Sequence, residues 1–211
     1  MVVQKVERMQ FPQFSWARVV SDIVSPPVVW ALLVIPVAAH YADTPLQAFF
    51  WAFLYSMFIC VIPVGFIAWM VKTGKIGDIH MKERRERFRP LLVTIVCTSI
   101  VWWLLRRLDA PPPFPLLALM TLVQVTFIML ITLVWQVSMH MMSIAGAVIV
   151  TGIIFTTAAA LAMIPLVMLV GAARLKLKRH TPAQVIAGTI IGALVPVLML
   201  GLVPISVLQA V

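Results

Sequence analysis

Residues 46–71 read LQAFFWAFLYSMFICVIPVGFIAWMV, a run without one Asp, Glu, Lys, Arg or His. A helix needs roughly 20 predominantly apolar residues to cross the hydrocarbon core of a bilayer, and this run exceeds that length. Its hydrophobicity is continuous. A strand of a membrane barrel would alternate apolar and polar positions over about ten residues, so the run reads as a helix. Working outward, further apolar runs lie near 24–42, 91–107, 115–137, 141–158, 160–173 and 184–208. The chain as a whole agrees. It has 211 residues, 63% of them hydrophobic and 11% charged, with a mean hydropathy of +1.07, values that exclude a water-soluble globule. The expected fold class is all-α, a multi-pass transmembrane helical bundle.

The runs allow six to seven spans. Pro26, Pro27 and Pro36 interrupt the first, and the fifth and sixth are short, so one of them can be tilted or re-entrant. Residues 1–23 read as an N-terminal interfacial segment: Lys5, Glu7, Arg8 and Arg18 stand among aromatics, without the apolar stretch or cleavage site of a signal peptide. Residues 24–211 then form a single transmembrane domain. Cys60 and Cys97 fall inside apolar runs and give no disulfide framework. Gly188 and Gly192, four apart in the last run, are a close-packing signal, expected to seat a neighbouring helix of the same chain.

Three polar strings interrupt the apolar background: 82–90 (KERRERFRP), 138–140 (SMH) and 174–180 (RLKLKRH). If each run crosses the membrane once, two crossings separate each string from the next, and all three fall on one face. There they can meet. Charge supports the grouping, because of the 16 Lys and Arg all but Arg106 and Arg107 lie at the N-terminus or in loops of that face. The positive-inside rule puts it in the cytoplasm, with the cell membrane as the expected location. Arg84, Arg85, Arg87, Lys176, Lys178 and Arg179 are expected to be solvated or to face lipid headgroups. The basic charge is not accompanied by a recognition module, so nucleic acid is not an expected partner, whereas membrane lipids are.

Lys82 and Arg89 are seven residues apart, about two turns of a helix, which would put both on one side to grip an anion. Arg174 and His180 are six apart, so the chain must turn between them for both to face one site. Thr181, Pro182 and Gln184 supply the reason: they read as N-cap, first helical residue and the far half of a capping box. His180 thereby sits just before a helix N-terminus, which favours an anion. Two histidines with converging cations suit phosphoryl transfer. One imidazole can attack phosphorus, the other can protonate the leaving oxygen, and the cations can stabilise charge on the transferring group. No carboxylate cluster accompanies them, so neither a metal site nor another cofactor is expected.

These residues resemble the type 2 phosphatidic acid phosphatase superfamily, which includes lipid phosphate phosphatases, isoprenyl diphosphate phosphatases and vanadium haloperoxidases. Its pattern is Lys-x6-Arg-Pro, then Pro-Ser-Gly-His, then Ser-Arg-x5-His-x3-Asp. Here Lys82, Arg89 and Pro90 match the first motif in full, Ser138 and His140 keep half of the second, and Arg174 and His180 keep half of the third. Met139 stands at the glycine and Gln184 at the final acid. The resemblance spans about 82–184 and implies a core like that family's. It also implies that Lys82, Arg89, Ser138 and Arg174 bind phosphate, His180 is the nucleophile that becomes phosphohistidine, and His140 is the acid. Gln184 would hold the His180 imidazole through its amide oxygen but supplies no charge.

The implied activity is that of a membrane phosphatase, metal-independent, acting on an amphiphilic phosphorylated lipid of the isoprenyl diphosphate or phosphatidic acid type. The alternative is a catalytically weak or inactive relative that binds or moves a lipid phosphate. Gln184 is its best argument. Neither the substrate nor the oligomeric state can be read from these motifs.

Overall fold

The structure, a computed structural model, describes residues 15–79, 81 and 83–201, apart from the side chain of Leu200. Ten α-helices follow in order: α1 (Trp16–Ile23), α2 (Pro26–Tyr41), α3 (Pro45–Ser56), α4 (Ile62–Lys72), α5 (Phe88–Arg107), α6 (Pro113–Thr132), α7 (Met139–Ile154), α8 (Thr157–Ala162), α9 (Ile164–Lys176) and α10 (Pro182–Gly201). A π-helical turn, Met57–Val61, joins α3 to α4, and a 3₁₀ turn, Arg84–Arg87, leads into α5. Among the described residues there is no strand. Residues 1–14, part of the expected interfacial segment, and 202–211, the end of the last expected span, lie outside the described residues.

Local chemistry accounts for the element ends. Prolines open α2, α3 and α10, where a missing N–H costs nothing. The hydroxyls of Thr44, Ser138 and Thr156 accept backbone N–H groups at the starts of α3, α7 and α8. The π turn has a cause as well. Pro63 would clash with the carbonyl of Ile59 in a regular helix, and the wider turn at 57–61 removes that conflict while the span continues.

Five segments are long and apolar enough to cross a membrane: Pro45–Lys72, Arg84–Arg107, Pro113–Thr132, Thr157–Lys176 and Pro182–Met199. Trp16–Ile23 and Pro26–Tyr41 pass the same test together but are bent by 50°, which makes six if the pair is one span. The fifth expected span differs. Its run of 141–158 is divided by Phe155 and Thr156, leaving α7 with 16 residues, short for a hydrocarbon core about 30 Å thick.

That short helix is the centre of the bundle. From His140 to Ile154 most of α7 is buried, and α2, α9 and α10 pack around it. The α10 contact is a backbone-to-backbone approach. A Cβ on Gly188 would lie 2.5 Å from the Ser138 carbonyl oxygen, and one on Gly192 would collide with the Met142 carbonyl. The glycine pair therefore seats α10 on α7 within the chain. The Ser138 N–H donates to the Gln184 carbonyl at 3.1 Å, tying the first turns of the two helices together. α1 packs on α9, burying Ala17 and Ser21, and so is docked on the bundle as well as amphipathic.

Candidate active site

The paired starts of α7 and α10 bring His140 and His180 to the wall of one cavity of about 370 Å³. Arg174, from the end of α9, lines it too, because the chain turns at Leu177–His180 before α10 begins. The three polar strings meet there, although the run between the second and the third forms only the short α7 and not a helix of full spanning length. The remaining wall is mostly apolar: Trp30 of α2, Ile59, Pro63 and Ile67 around the π turn and α4, Leu91 of α5, Val125 and Ile128 of α6.

The first string contributes through a different residue from the one its motif suggests. Arg87, expected in solvent, is only 3% exposed and lines the cavity, whereas Arg89 is exposed and does not. The reason is helical register. Arg87, Pro90, Leu91 and Thr94 all face the cavity at spacings of three, four and seven. Arg89, two residues beyond Arg87, is turned about 200° away. The two-turn argument for Lys82 and Arg89 also needs a continuous α-helix, and within that stretch Glu83 is extended and Arg84–Arg87 form a 3₁₀ turn. Lys82 itself lies outside the described residues. The 87/90/91/94 stripe was available in the sequence as the signal for Arg87.

Arg87 is held from behind: its Nε donates to the Met81 carbonyl at 3.0 Å. The loop carrying Met81 is pinned by an ion pair between Asp78 and Arg179 at 3.0 Å and by a hydrogen bond from the Gly77 N–H to Glu86 Oε1 at 2.8 Å. Arg179, also expected in solvent, thus couples the first string to the third.

Ser21 of α1, which belongs to none of the three polar strings, joins the site. Its hydroxyl accepts from Arg174 Nη1 at 2.6 Å, and its carbonyl lies 3.0 Å from His140 Nε2. A carbonyl only accepts, so that geometry puts a proton on Nε2. The Ser21 Oγ is 3.4 Å from the same nitrogen. Ser21 is fully buried behind the cavity wall and links two site residues from a helix that reads as peripheral in the sequence.

Ser138, expected to bind phosphate, lies outside the cavity lining. It is fully buried, and its hydroxyl accepts the Met141 N–H at 3.4 Å as the cap of α7. Met139, the residue in place of the glycine, lines the cavity.

Gln184 performs both tasks its position suggests. Its Oε1 accepts the Thr181 N–H at 3.1 Å, and the Gln184 N–H donates to Thr181 Oγ1 at 3.4 Å, completing the capping box. The same Oε1 lies 3.2 Å from His180 Nδ1. An amide oxygen only accepts, so Nδ1 carries the proton and Nε2 keeps its lone pair. Burial, then the charges of Arg174 and Arg87, push the His180 imidazole down to about 4, against the Gln184 hydrogen bond that acts to raise it. At neutral pH the ring is uncharged. Among the described residues no three His, Cys, Asp or Glu side chains gather as a metal site would need.

Comparison with protein-family models, with curated proteins and with solved structures gave no match. The chemistry of the cavity therefore rests on its own geometry.

Proposed function

We propose that the protein is an integral membrane phosphatase that removes phosphate from an amphiphilic lipid phosphate or diphosphate through a phosphohistidine intermediate. One observation carries the reading: a single cavity combines two buried guanidinium groups and two histidines with a wall that is otherwise largely apolar. A phosphate head fits the first part and a hydrocarbon tail the second.

The chemistry follows from the two imidazoles. The neutral His180 Nε2 attacks phosphorus while Gln184 holds Nδ1–H, and the phosphorus–oxygen bond to the lipid breaks. His140, in its protonated form, gives a proton to the departing oxygen. Water, deprotonated by His140, then attacks the phosphohistidine, breaking the phosphorus–nitrogen bond and releasing inorganic phosphate. The adjacent guanidinium groups stabilise charge on the non-bridging oxygens, and the N-termini of α7 and α10 add to the positive potential. Every step uses groups of this chain and water.

Phosphate release from phosphatidic acid and isoprenyl diphosphates, in detergent with a chelator, tests the reading. Release that falls by at least about 1,000-fold in both His180→Ala and His140→Ala is expected. Release that survives both substitutions contradicts it. A second reading is favoured by Gln184: a neutral amide oxygen already shared with the Thr181 N–H gives the His180 imidazolium little support. In that reading the protein binds or moves a lipid phosphate with little turnover, and the assay returns binding without release.

A further inference from the structure

The polar end of the cavity contains a mismatch that its own residues resolve only in part: Asp22 lines it and its charge acts on Arg174, but two guanidinium donors stay unmatched. Arg87 and Arg174 are each only 3% exposed, and each carries a buried N–H without a hydrogen-bond partner among the described residues: Nη1 of Arg87 and Nε of Arg174. Buried polar groups in folded proteins are nearly always paired, and guanidinium donors more stringently than neutral ones. The two groups repel as well, being close enough that both bear on His180. One further donor of each is fixed by the fold. Arg87 Nε is taken by the Met81 carbonyl and Arg174 Nη1 by the Ser21 hydroxyl, so each planar fork is locked in one orientation.

The Met81 carbonyl is aimed by a left-handed backbone in a residue that is not glycine. Such strain persists only where the surroundings over-determine it. Here the Asp78–Arg179 pair and the Gly77–Glu86 hydrogen bond do so.

From this we infer that, among the described cations of the first polar string, Arg87 and not Arg89 grips the ligand, and that Arg87 and Arg174 together form a preset two-guanidinium clamp for a phosphate group. The unpartnered N–H groups are its vacant donors. A phosphate presents several acceptor oxygens, so one group can accept from both forks and cancel their repulsion. The inference rests on the phosphate-binding part of the function proposed above and is independent of whether turnover follows. It moves the motif's assignment by two residues, a shift set by the face that Arg87, the last residue of the 3₁₀ turn, shares with Pro90, Leu91 and Thr94 of α5.

Binding of octyl phosphate to the full chain in detergent, followed by calorimetry, tests the clamp. Arg87→Met, which keeps the stem and removes the fork, is expected to weaken binding by about 10- to 100-fold. Arg89→Met is expected to stay within about 2-fold, since an exposed arginine off the cavity loses only screened attraction. Arg87→Lys, which retains the charge, guards against misfolding and is expected to bind about 5- to 10-fold more weakly than the parent, for want of a second donor. Loss of binding in Arg89→Met, or parental affinity in either Arg87 variant, overturns the inference, as does a parent chain that fails to bind octyl phosphate. Arg87-dependent binding without phosphate release sinks the hydrolytic proposal and leaves the clamp standing. Release with unaltered affinity in Arg87→Met does the reverse.

Discussion

His180 Nδ1 and Gln184 Oε1 lie 3.2 Å apart, and the same oxygen accepts the Thr181 N–H at 3.1 Å. One amide oxygen thus fixes the tautomer of the candidate nucleophile and the start of the helix behind it. The substitution Gln184→Glu separates these roles, being nearly isosteric while adding a charge. It is expected to keep the cap, raise the His180 pKa above about 4 and increase phosphate release several-fold by stabilising the imidazolium. Gln184→Leu loses both contacts and is expected to reduce release by about 10- to 100-fold and stability by about 1 kcal/mol. Unchanged rates in both variants would detach Gln184 from the chemistry.

The pH dependence follows from the same residue. His180 must be neutral to attack, and its folded-state value is lowered from 6.5 to about 4. The acid limb of kcat/KM should therefore fall as pH drops through about 4, well below the range of an ordinary histidine. A parental limb near 6.5 that moves to higher pH in Gln184→Glu would contradict the depressed value of the buried ring. The linked effect on stability has a definite sign. A depressed folded value means the unfolded chain binds the proton more readily, so the contribution is intact above 6.5 and is lost as pH falls from 6.5 toward 4.

Ser21 gives a prediction at a residue with no catalytic chemistry of its own. In Ser21→Ala, Arg174 Nη1 loses its 2.6 Å acceptor beside an Nε that already has none, leaving a buried guanidinium less satisfied. The expected result is a loss of about 1–3 kcal/mol in thermal unfolding and a fall in release. Ser21→Thr should restore part of both by returning the hydroxyl.

The α7–α10 contact predicts a contrast among glycines. Gly192→Ala puts a methyl against the Met142 backbone, which cannot yield as a flexible side chain would, and should destabilise the protein by more than about 2 kcal/mol. Gly65→Ala, in α4 with open space around it, should be neutral or stabilising by about 0.5–1 kcal/mol. Equal Tm values in detergent for the two variants would refute the close approach.

These residues also mark where sequence was readable. Apolar runs longer than a bilayer identify helices whatever surrounds them, and six of the seven runs correspond to segments of membrane-spanning length or to the bent pair, the seventh being the shorter α7. The turn that delivers His180 was legible because Thr181, Pro182 and Gln184 act locally. Arg87 was hidden by its neighbours. In a string of five cations only the helical register of 87, 90, 91 and 94 separates the inward arginine from the outward ones. Ser21 left no signal, since its role depends on α1 folding back onto α9, a long-range contact. The short α7 was hidden as well, because a buried central helix is as apolar as a spanning one.

The most direct test of the account is to trap the intermediate. The protein is mixed with a ³²P-labelled lipid phosphate and quenched in alkali, which preserves phosphohistidine, and the label is then mapped by mass spectrometry. Label on His180, absent in His180→Ala and removed by acid, is the predicted result. Phosphate released with label on no residue, or with label on a residue other than His180, would contradict the central claim.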